Sequence, residues 1–205
     1  IGVATVQDGS YPISRPFNMI TNGEATGLAA DFLAFVMGAE GQAIIEEEGY
    51  VLPPTGDAAA EPAEEAAALE GSLSLAGSTS VQPLAEVLAL AFMEMYPDVV
   101  VDVQGGGSSA GVTAAGEGTA DIGNASRNVK DSEMEEFPEL IPNVICLEGI
   151  AVVTNPTVAD LYLEQGKPDE AARLAAEGAA VAVALKMAKE MESGRIVVIL
   201  PDGGG

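Results

Sequence analysis

Short, continuous apolar runs alternate along this chain with segments in which apolar residues recur at helical spacing. Residues 73–77 (LSLAG) and 99–103 (VVVDV) are apolar runs of strand length. Between them, a helical face is predicted at Leu84, Val87, Leu88, Ala91 and Met95. Continuous apolar strands are typical of a sheet that is covered on both faces. The pattern therefore predicts an α/β fold, a three-layer Rossmann-like sandwich with a mainly parallel sheet.

The N-terminal segment, residues 1–53, carries the same mixture of elements. Residues 17–20 are a candidate strand, and Thr26 is placed to cap a helix. The apolar face of that helix is formed by Leu28, Phe32, Phe35 and Val36. Residues 39–48 predict a second helix, which Gly49 is suited to end.

Residues 54–71 differ in composition from the segments on either side. They are rich in Ala and Glu and low in complexity (PTGDAAAEPAEEAAALE). The Glu residues predict a solvated surface, with a short helix after Pro62. We interpret 54–71 as a linker between segments 1–53 and 72–156, within one compact domain that also includes residues 157–205.

The second half of the chain continues the alternation. Its predicted elements are one helical turn at 134–137 in an acidic loop, strands at 144–147 and 150–154, helices at 159–165 and 169–192, and a strand at 196–200. We interpret 157–205 as an added helix–strand unit that completes the sheet.

The charge balance excludes several partners. The chain has 32 acidic and 8 basic residues among 205, for a formal net charge of −24. This balance argues against binding nucleic acid or an anionic membrane surface, and it fits a halophilic source or a very soluble protein. The sequence contains no apolar run of eighteen residues, so we predict no membrane span. The sequence shows neither an initiating Met nor a signal peptide, so we expect a processed form or a fragment.

The residue types present leave little room for catalysis. The chain has no His, which excludes Ser–His and Cys–His pairs and leaves zinc without its usual ligands. The single Cys146 lies in an apolar run (VICL), where a buried hydrophobic role is expected. No lysine follows the glycines at 105–107 as a P-loop requires. We therefore predict no enzyme activity, no cofactor and no metal site.

Three hydroxyl-rich clusters follow predicted strands. They are GSTSVQPLAE (77–86), QGGGSSAG (104–111) and TADIGNASR (119–127). The first two also open predicted helices, whose free backbone N–H groups and dipoles favour an anion. Because ligands in such sheets bind at the carboxyl ends of strands, we expect the clusters to form one anion site. For a single cluster, simple helix capping is the alternative interpretation.

These motifs resemble those of the phosphate-binding proteins of ABC phosphate importers, a family of periplasmic binding proteins. The resemblance covers residues 73–155, including EGIAVVTNP (148–156). By matched position it implies that Thr79, Ser80, Ser108 and Ser126 contact phosphate. Some family members carry an aspartate where Ser126 stands, and such an acceptor helps separate protonated phosphate from sulfate.

Other residues beside these motifs are secondary candidates for the site. Ser78 and Ser109 adjoin the matched hydroxyls, and Asp121 is either an acceptor or the cap of a turn. Arg127 and Arg15 are candidates to offset the charge of an anion. For Arg15, in YPISRPF, an ion pair with a carboxylate is the other interpretation.

The N-terminal segment resembles the opposite end of the same family. YPISRPF, NGEATGLAADFLAFV and EGQAIIEEEGYVLP match the C-terminal part of the phosphate-binding proteins, yet here they come first. The resemblance thus implies one lobe of a periplasmic binding protein in circularly permuted order. The second lobe's Gly-Ser-Gly-Thr loop and arginine are not found. We expect weak binding of phosphate or a similar oxyanion, an extracellular or periplasmic location, and possible completion of the site by a second copy or another partner.

The tail resembles a different family. Residues 169–205 are similar to the C-terminal helix and strand of cysteine synthases, without that family's Schiff-base lysine motif or serine-rich turn. A permuted order, a bland linker and a foreign tail also fit an engineered chimera, a recombinant protein with no native compartment. A chimeric scaffold or assembly protein without ligand function is therefore the alternative interpretation.

Overall fold

The computed structural model describes residues 3–11, 13–54 and 69–149. The chain divides into two compact units, residues 2–148 and residues 149–205 with residue 1, so nearly all described residues lie in the first unit. The strands predicted at 150–154 and 196–200 lie outside the described residues. So do the helices predicted at 159–165 and 169–192 and most of the linker.

The described residues form one five-stranded sheet with helices on both sides. The strands are β1 (Ser14–Asn22), β2 (Gly71–Gly77), β3 (Val99–Gln104), β4 (Ile122–Ala125) and β5 (Leu140–Gly149), in the spatial order β3-β2-β4-β1-β5. The helices are α1 (Val3–Gln7), α2 (Gly27–Met37), α3 (Ala39–Glu47), α4 (Gln82–Met95), α5 (Ser108–Gly116) and α6 (Asp131–Glu136). The α/β class predicted from the apolar pattern is confirmed.

The three central pairings bring the ends of three strands to one edge of the sheet. β2 pairs in parallel with both β3 and β4, with Ala76 opposite Gln104 and Gly77 opposite Asn124. β1 pairs antiparallel with β4, with Asn18 opposite Ala125. The beginning of β1 therefore lies at the same edge as the ends of the parallel strands.

Two hydrophobic clusters, one on each face of the sheet, make the structure three-layered. Along β1, Met19 packs with helices α2, α3 and α4, whereas the next residue, Ile20, packs with α5 and the α6 region. This alternation is the period of two expected of a strand. The larger cluster contains an edge-to-face pair, Phe32 and Phe92, whose ring centroids are 5.2 Å apart. Aromatic pairs of this kind add about 0.5–1.5 kcal/mol beyond their buried area.

Several local predictions are confirmed closely. β2, β3, α2 and α3 lie where the apolar pattern placed them, and Cys146 is buried. Gly49 follows the end of α3 with φ of +83°, and the N–H of Tyr50 donates to the Ile45 carbonyl at 3.1 Å. This left-handed turn is the helix stop expected from the glycine.

The buried face of α4 differs from the prediction. The buried residues are Leu84, Ala85, Leu88, Ala89 and Phe92. Met95, predicted in the core, is 40% exposed, and Leu90 is 60% exposed. Ala85 and Ala89 let the helix approach the sheet closely, so a stripe shifted by one residue is buried.

One helix, the first turn of another helix and one cap were not predicted. α1 was not predicted, and α6 begins at Asp131, three residues before the predicted turn. The first turn of α6 is capped by Glu133, whose carboxylate accepts the Lys130 N–H at 2.9 Å. Thr26 precedes α2 as predicted, but its side chain makes no capping hydrogen bond.

Glycines let α5 lie directly on β2 and β4. A Cβ on Gly111 would lie 2.8 Å from Gly77 Cα and 2.8 Å from the Ala76 carbonyl oxygen. Contacts that short with backbone atoms cannot be relieved by moving a side chain. The close approach carries the first residue of α5, Ser108, to the sheet edge where β2 and β4 end.

β3 forms one border of the described sheet. The N–H of Val101 donates to the Met93 sulfur of α4 at 3.3 Å instead of to a neighbouring strand.

Within the described residues, no single helix is long and apolar enough to cross a membrane. Taken together, α2 and α3 have the length and composition of a membrane span, but the two helices are bent by 59° at the break between them.

Candidate functional site

Three serine hydroxyls converge at the edge where the parallel strands end. Ser78 Oγ donates to Ser126 Oγ at 3.0 Å, and Ser108 Oγ lies 3.3 Å from the same Ser126 oxygen. The backbone N–H of Ser126 also donates to Ser108 Oγ, at 3.1 Å. Ser78 and Ser126 are buried, and Ser108 is half-buried. We call these three residues the serine cluster.

The strand register explains why the serines meet. Ser78 follows β2 and Ser126 follows β4, and the two strands are adjacent and parallel. The Ser78 N–H donates to the Asn124 carbonyl at 2.8 Å, which continues the ladder one residue past β2. Ser108 arrives from the other side, because the Gly107 N–H donates to the Gly77 carbonyl at 2.8 Å.

The turn before α5 requires glycine at two positions. Gly106 has φ of +148° and Gly107 has φ of +94°. Both values lie in the region that L residues rarely adopt, so the backbone reaches Ser108 through a path that favours glycine.

Two helices begin beside the serine cluster. α5 has nine residues and starts at Ser108, and α4 has fourteen and starts at Gln82. The N–H groups of a first helical turn have no partner within the helix and carry the positive end of the dipole. Before α4, the Ser80 N–H donates to Ser78 Oγ at 3.3 Å. The Gln82 N–H already donates to the Ser78 carbonyl at 3.0 Å and Pro83 has no N–H, so α5 is the helix whose first turn is better placed to offer donors at the cluster.

Arg15 reaches the cluster from the beginning of β1. Its Nη1 lies 3.5 Å from Ser126 Oγ, while Nε and Nη2 donate to Glu148 Oε2 at 2.7 Å and 2.6 Å. The guanidinium carbon also lies 5.7 Å from the centre of the Phe17 ring. The ion pair offered as one interpretation of Arg15 is present, and the same side chain also lies beside the cluster.

Arg127 is held by a different carboxylate. Its two terminal nitrogens donate to the two oxygens of Glu133 at 2.8 Å and 2.7 Å, and Nη2 also donates to Ser109 Oγ at 3.0 Å. The hydrogen bond from Arg127 lowers the pKa of the Glu133 carboxyl, and the same contact raises the pKa of the Arg127 guanidinium. These hydrogen bonds of Arg127 connect the loop after β4 to α6 and to the first turn of α5.

The other candidates differ in position. Ser80 is half-buried and contributes a backbone N–H to Ser78, whereas Thr79 is exposed. Ser78, a secondary candidate, belongs to the cluster, in which Ser126 Oγ is the atom that both other hydroxyls contact. The signal for Ser78 in the sequence was its place directly after Gly77, where β2 ends.

Asp121 lies away from the cluster. It is at the beginning of β4, and its Oδ2 accepts from the backbone N–H and the hydroxyl of Ser74 at 2.8 Å and 2.7 Å. Five residues of extended chain separate it from Ser126, which is about 16 Å at the usual strand rise. Asp121 therefore links the start of β4 to β2, which is neither a contact at the serine cluster nor the turn cap offered as its alternative.

Two residues near the cluster were missed from the sequence. Glu148, which pairs with Arg15, is 5% exposed. The side chain of Asn124 is buried, and neither its nitrogen nor its oxygen has a hydrogen-bond partner among the described residues. A single acidic residue inside an apolar run (VICLEGIAVV) was the signal for Glu148, whereas nothing in the sequence distinguishes Asn124.

Metal binding finds no support in the part of the chain that the structure describes. Those residues contain no group of three or more Cys, Asp or Glu side chains placed to hold a metal ion. At the serine cluster they offer hydroxyl and backbone hydrogen-bonding groups.

Comparison with known proteins places the chain among binding proteins. Residues 62–186 match the family described as the PBP superfamily domain. The chain is 41% identical over 152 residues to Phosphate-binding protein PstS 2 of Streptococcus pneumoniae, which covers 74% of this chain and 50% of that protein. It is 39% identical over 170 residues to PstS 2 of Streptococcus agalactiae, covering 80% of this chain and 56% of that one.

A solved structure agrees with these relatives. The crystal structure of a phosphate ABC transporter phosphate-binding protein from Streptococcus pneumoniae matches with a TM-score of 0.65 and 37% identity, covering 73% of this chain and 55% of that chain. The chain thus spans about half the length of the relatives it matches. The family model matches more than half of the chain, and the matched sequences and shared fold agree with it, so the chain belongs to the PBP superfamily.

Proposed function

We propose that the chain binds inorganic phosphate, or a similar oxyanion, at the serine cluster without catalysing a reaction. One observation carries the proposal. The hydroxyls of Ser78, Ser108 and Ser126 meet beside Arg15 at the start of two helices. The relatives named phosphate-binding proteins support phosphate as the first anion to test.

Binding would exchange hydrogen bonds within the cluster for hydrogen bonds to the anion. Each serine hydroxyl is a rotor that can donate in another direction. A hydrogen bond to a charged acceptor contributes about 1.5–3 kcal/mol, against about 1 kcal/mol for a neutral one. The exchange therefore favours an anion over water, and the Arg15 guanidinium adds an opposite charge.

The charges around the cluster limit the affinity. The formal net charge of the chain is −24, and both nearby arginines are already paired with glutamates. Hydrogen-bond donors, more than net positive charge, must therefore select the ligand. We propose that the serine cluster is a half-site that binds weakly, with its anion partly in water.

The segment order supports a permuted lobe. We propose that residues 1–53 and 72–156 together form one lobe, joined by the linker 54–71. A second copy of the chain, or another partner, would supply the opposite half of the site. By similarity to the relatives we propose an extracellular or periplasmic location.

Calorimetric titration of the folded chain with phosphate, and with sulfate as a control, tests this function. We expect heat with phosphate that is lost in Ser126→Ala and kept in Ser72→Ala, since Ser72 is exposed at the start of β2. No heat from a folded sample would contradict phosphate binding. The chain would then be better interpreted as a chimeric scaffold, or as an assembly protein if light scattering shows association.

A further inference from the structure

One edge of the Arg15 guanidinium donates to Glu148, and the other edge faces the serine cluster. Nε and Nη2 form the side edge of the planar group, and both donate to the same glutamate oxygen. Nη1, at the opposite end, lies 3.5 Å from Ser126 Oγ. The Arg15 side chain is 32% exposed, whereas that of Glu148 is 6% exposed. The end edge, formed by Nη1 and Nη2, is therefore the part left for a ligand.

The carboxylate that holds this arginine is itself fixed. Glu148 lies in β5, Arg15 in β1, and Ser126 follows β4, so the contacts run across three neighbouring strands. A long arginine side chain has many rotamers, and ordering it on binding costs about 0.5–1.5 kcal/mol. An arginine already held by a buried carboxylate has lost that freedom before the ligand arrives.

We propose that Glu148 is a positioning residue of the anion site, and that it aims the end edge of Arg15 at an oxyanion bound to the serine cluster. The inference rests on the proposed function. Two parallel N–H groups match two oxygens of a phosphate group, and this match is lost if the guanidinium rotates. The negative charge of Glu148 opposes an anion, so its charge and its acceptor oxygen have opposite effects on affinity.

Because the charge of Glu148 and its acceptor oxygen have opposite effects on affinity, variants can separate them. Phosphate affinity is measured by calorimetry for the wild type, Glu148→Ala, Glu148→Gln, Arg15→Ala and the double variant Arg15→Ala/Glu148→Ala. We expect Glu148→Ala to bind about two- to tenfold more weakly than Glu148→Gln, because both lack the charge and only the alanine variant must order Arg15 on binding. Glu148→Gln should bind at least as tightly as the wild type, because its amide oxygen still accepts from Arg15 and the opposing charge is gone.

The double variant tests whether Glu148 acts through Arg15. In the Arg15→Ala background, Glu148→Ala should cause no further weakening. Glu139→Gln is the matched control, since it removes one exposed charge outside this contact and should leave the affinity unchanged. The proposal is overturned if Glu148→Ala binds as tightly as Glu148→Gln, or if Glu148→Ala weakens binding in the Arg15→Ala background as well.

A readout without ligand separates this proposal from the proposed function. The Arg15 Nε–H signal in ¹⁵N NMR should exchange slowly with water in the wild type and in Glu148→Gln, and rapidly in Glu148→Ala. A wild type that keeps this signal but binds no phosphate overturns the proposed function and the ligand-positioning role with it. If Glu148→Ala does not fold, Arg15→Lys replaces it. An ammonium has no edge to present, so wild-type affinity in Arg15→Lys would overturn the proposal.

Discussion

Ser108 and Ser126 contact each other at two points. The backbone N–H of Ser126 donates to Ser108 Oγ at 3.1 Å, and the two hydroxyl oxygens lie 3.3 Å apart. The Ser108 hydroxyl is therefore the acceptor that fixes the end of β4, and in the proposed function it is also a donor to the anion. Loss of the Ser108 hydroxyl should affect binding and stability together.

We expect Ser108→Ala to abolish detectable phosphate heat and to lower the free energy of unfolding by about 1 kcal/mol, the usual net cost of one hydrogen bond. Urea titration measures the second effect. Thr113→Ala, an exposed change in the same helix, is the control and should alter neither property. Normal stability in Ser108→Ala would show that water replaces the lost acceptor.

Ser126→Asp should raise the preference for phosphate over sulfate. A carboxylate at this position would accept a hydrogen bond from the proton that hydrogen phosphate carries, whereas sulfate offers no proton. We expect the ratio of phosphate to sulfate affinity to rise about tenfold, within the value of one charged hydrogen bond. The measurement is a pair of calorimetric titrations against Ser126→Ala. An equal loss of both anions would mean that the added negative charge dominates.

Two buried asparagines on adjacent strands should differ in their contribution to stability. Asn18 donates to the Arg127 carbonyl at 2.9 Å, whereas the Asn124 side chain has no partner among the described residues. Removing a buried partner leaves an unsatisfied group and costs about 1–3 kcal/mol. We therefore expect Asn18→Ala to be more destabilising than Asn124→Ala in urea unfolding. The reverse order would indicate that Asn124 is hydrogen-bonded in solution, for example to a buried water.

Gly111→Ala should be strongly destabilising. Its Cβ would lie 2.8 Å from backbone atoms of β2, which cannot move aside without shifting α5. We expect a loss of about 3 kcal/mol or more in unfolding free energy, at the upper end of overpacking costs. Gly118→Ala is the comparison, since open space surrounds it and only its φ of +68° is unfavourable, at about 1–2 kcal/mol. Similar losses in the two variants would contradict the close packing of α5.

The ion pair between Arg127 and Glu133 should make stability depend on acidic pH. The Arg127 hydrogen bond lowers the folded pKa of Glu133, so the pair stabilises the fold above the unfolded pKa of about 4.3. This stabilisation is lost as the pH falls through the lower, folded pKa. We expect the difference in urea midpoint between wild type and Glu133→Gln to shrink over that range. Glu135→Gln, an exposed neighbour, controls for general acid effects.

The apolar pattern predicted where the helices and strands lie better than it predicted which side of a helix is buried. β3 and α2 were found because their apolar residues have a single interpretation. In α4, Leu90 is 60% exposed although it is apolar, because it lies on the same face as the exposed Glu86 and Glu94, four residues to either side. Which stripe is buried depends on how closely Ala85 and Ala89 allow the helix to approach β3, and that is a property of the packed structure.

The site was predicted as a set of loops more accurately than as a set of side chains. All three hydroxyl clusters reach one sheet edge, because parallel strands bring their ends together. The sequence alone does not show that Thr79 is exposed while Ser78, one residue earlier, is buried. Glu148 was missed for a similar reason, since its partner Arg15 lies 133 residues away and the two meet only in the folded sheet.

The contact between Met93 and Val101 has a consequence for solubility. β3 (VVVDVQ) combines strong β-propensity with a border position, the features of a segment that recruits strands from other molecules and starts fibrils. Intermolecular pairing there would have to break the hydrogen bond that the Val101 N–H already makes to a sulfur atom of the same molecule. We therefore expect the thioether side chain of Met93, together with the exposed Asp102 carboxylate of β3 itself, to hinder aggregation through this strand.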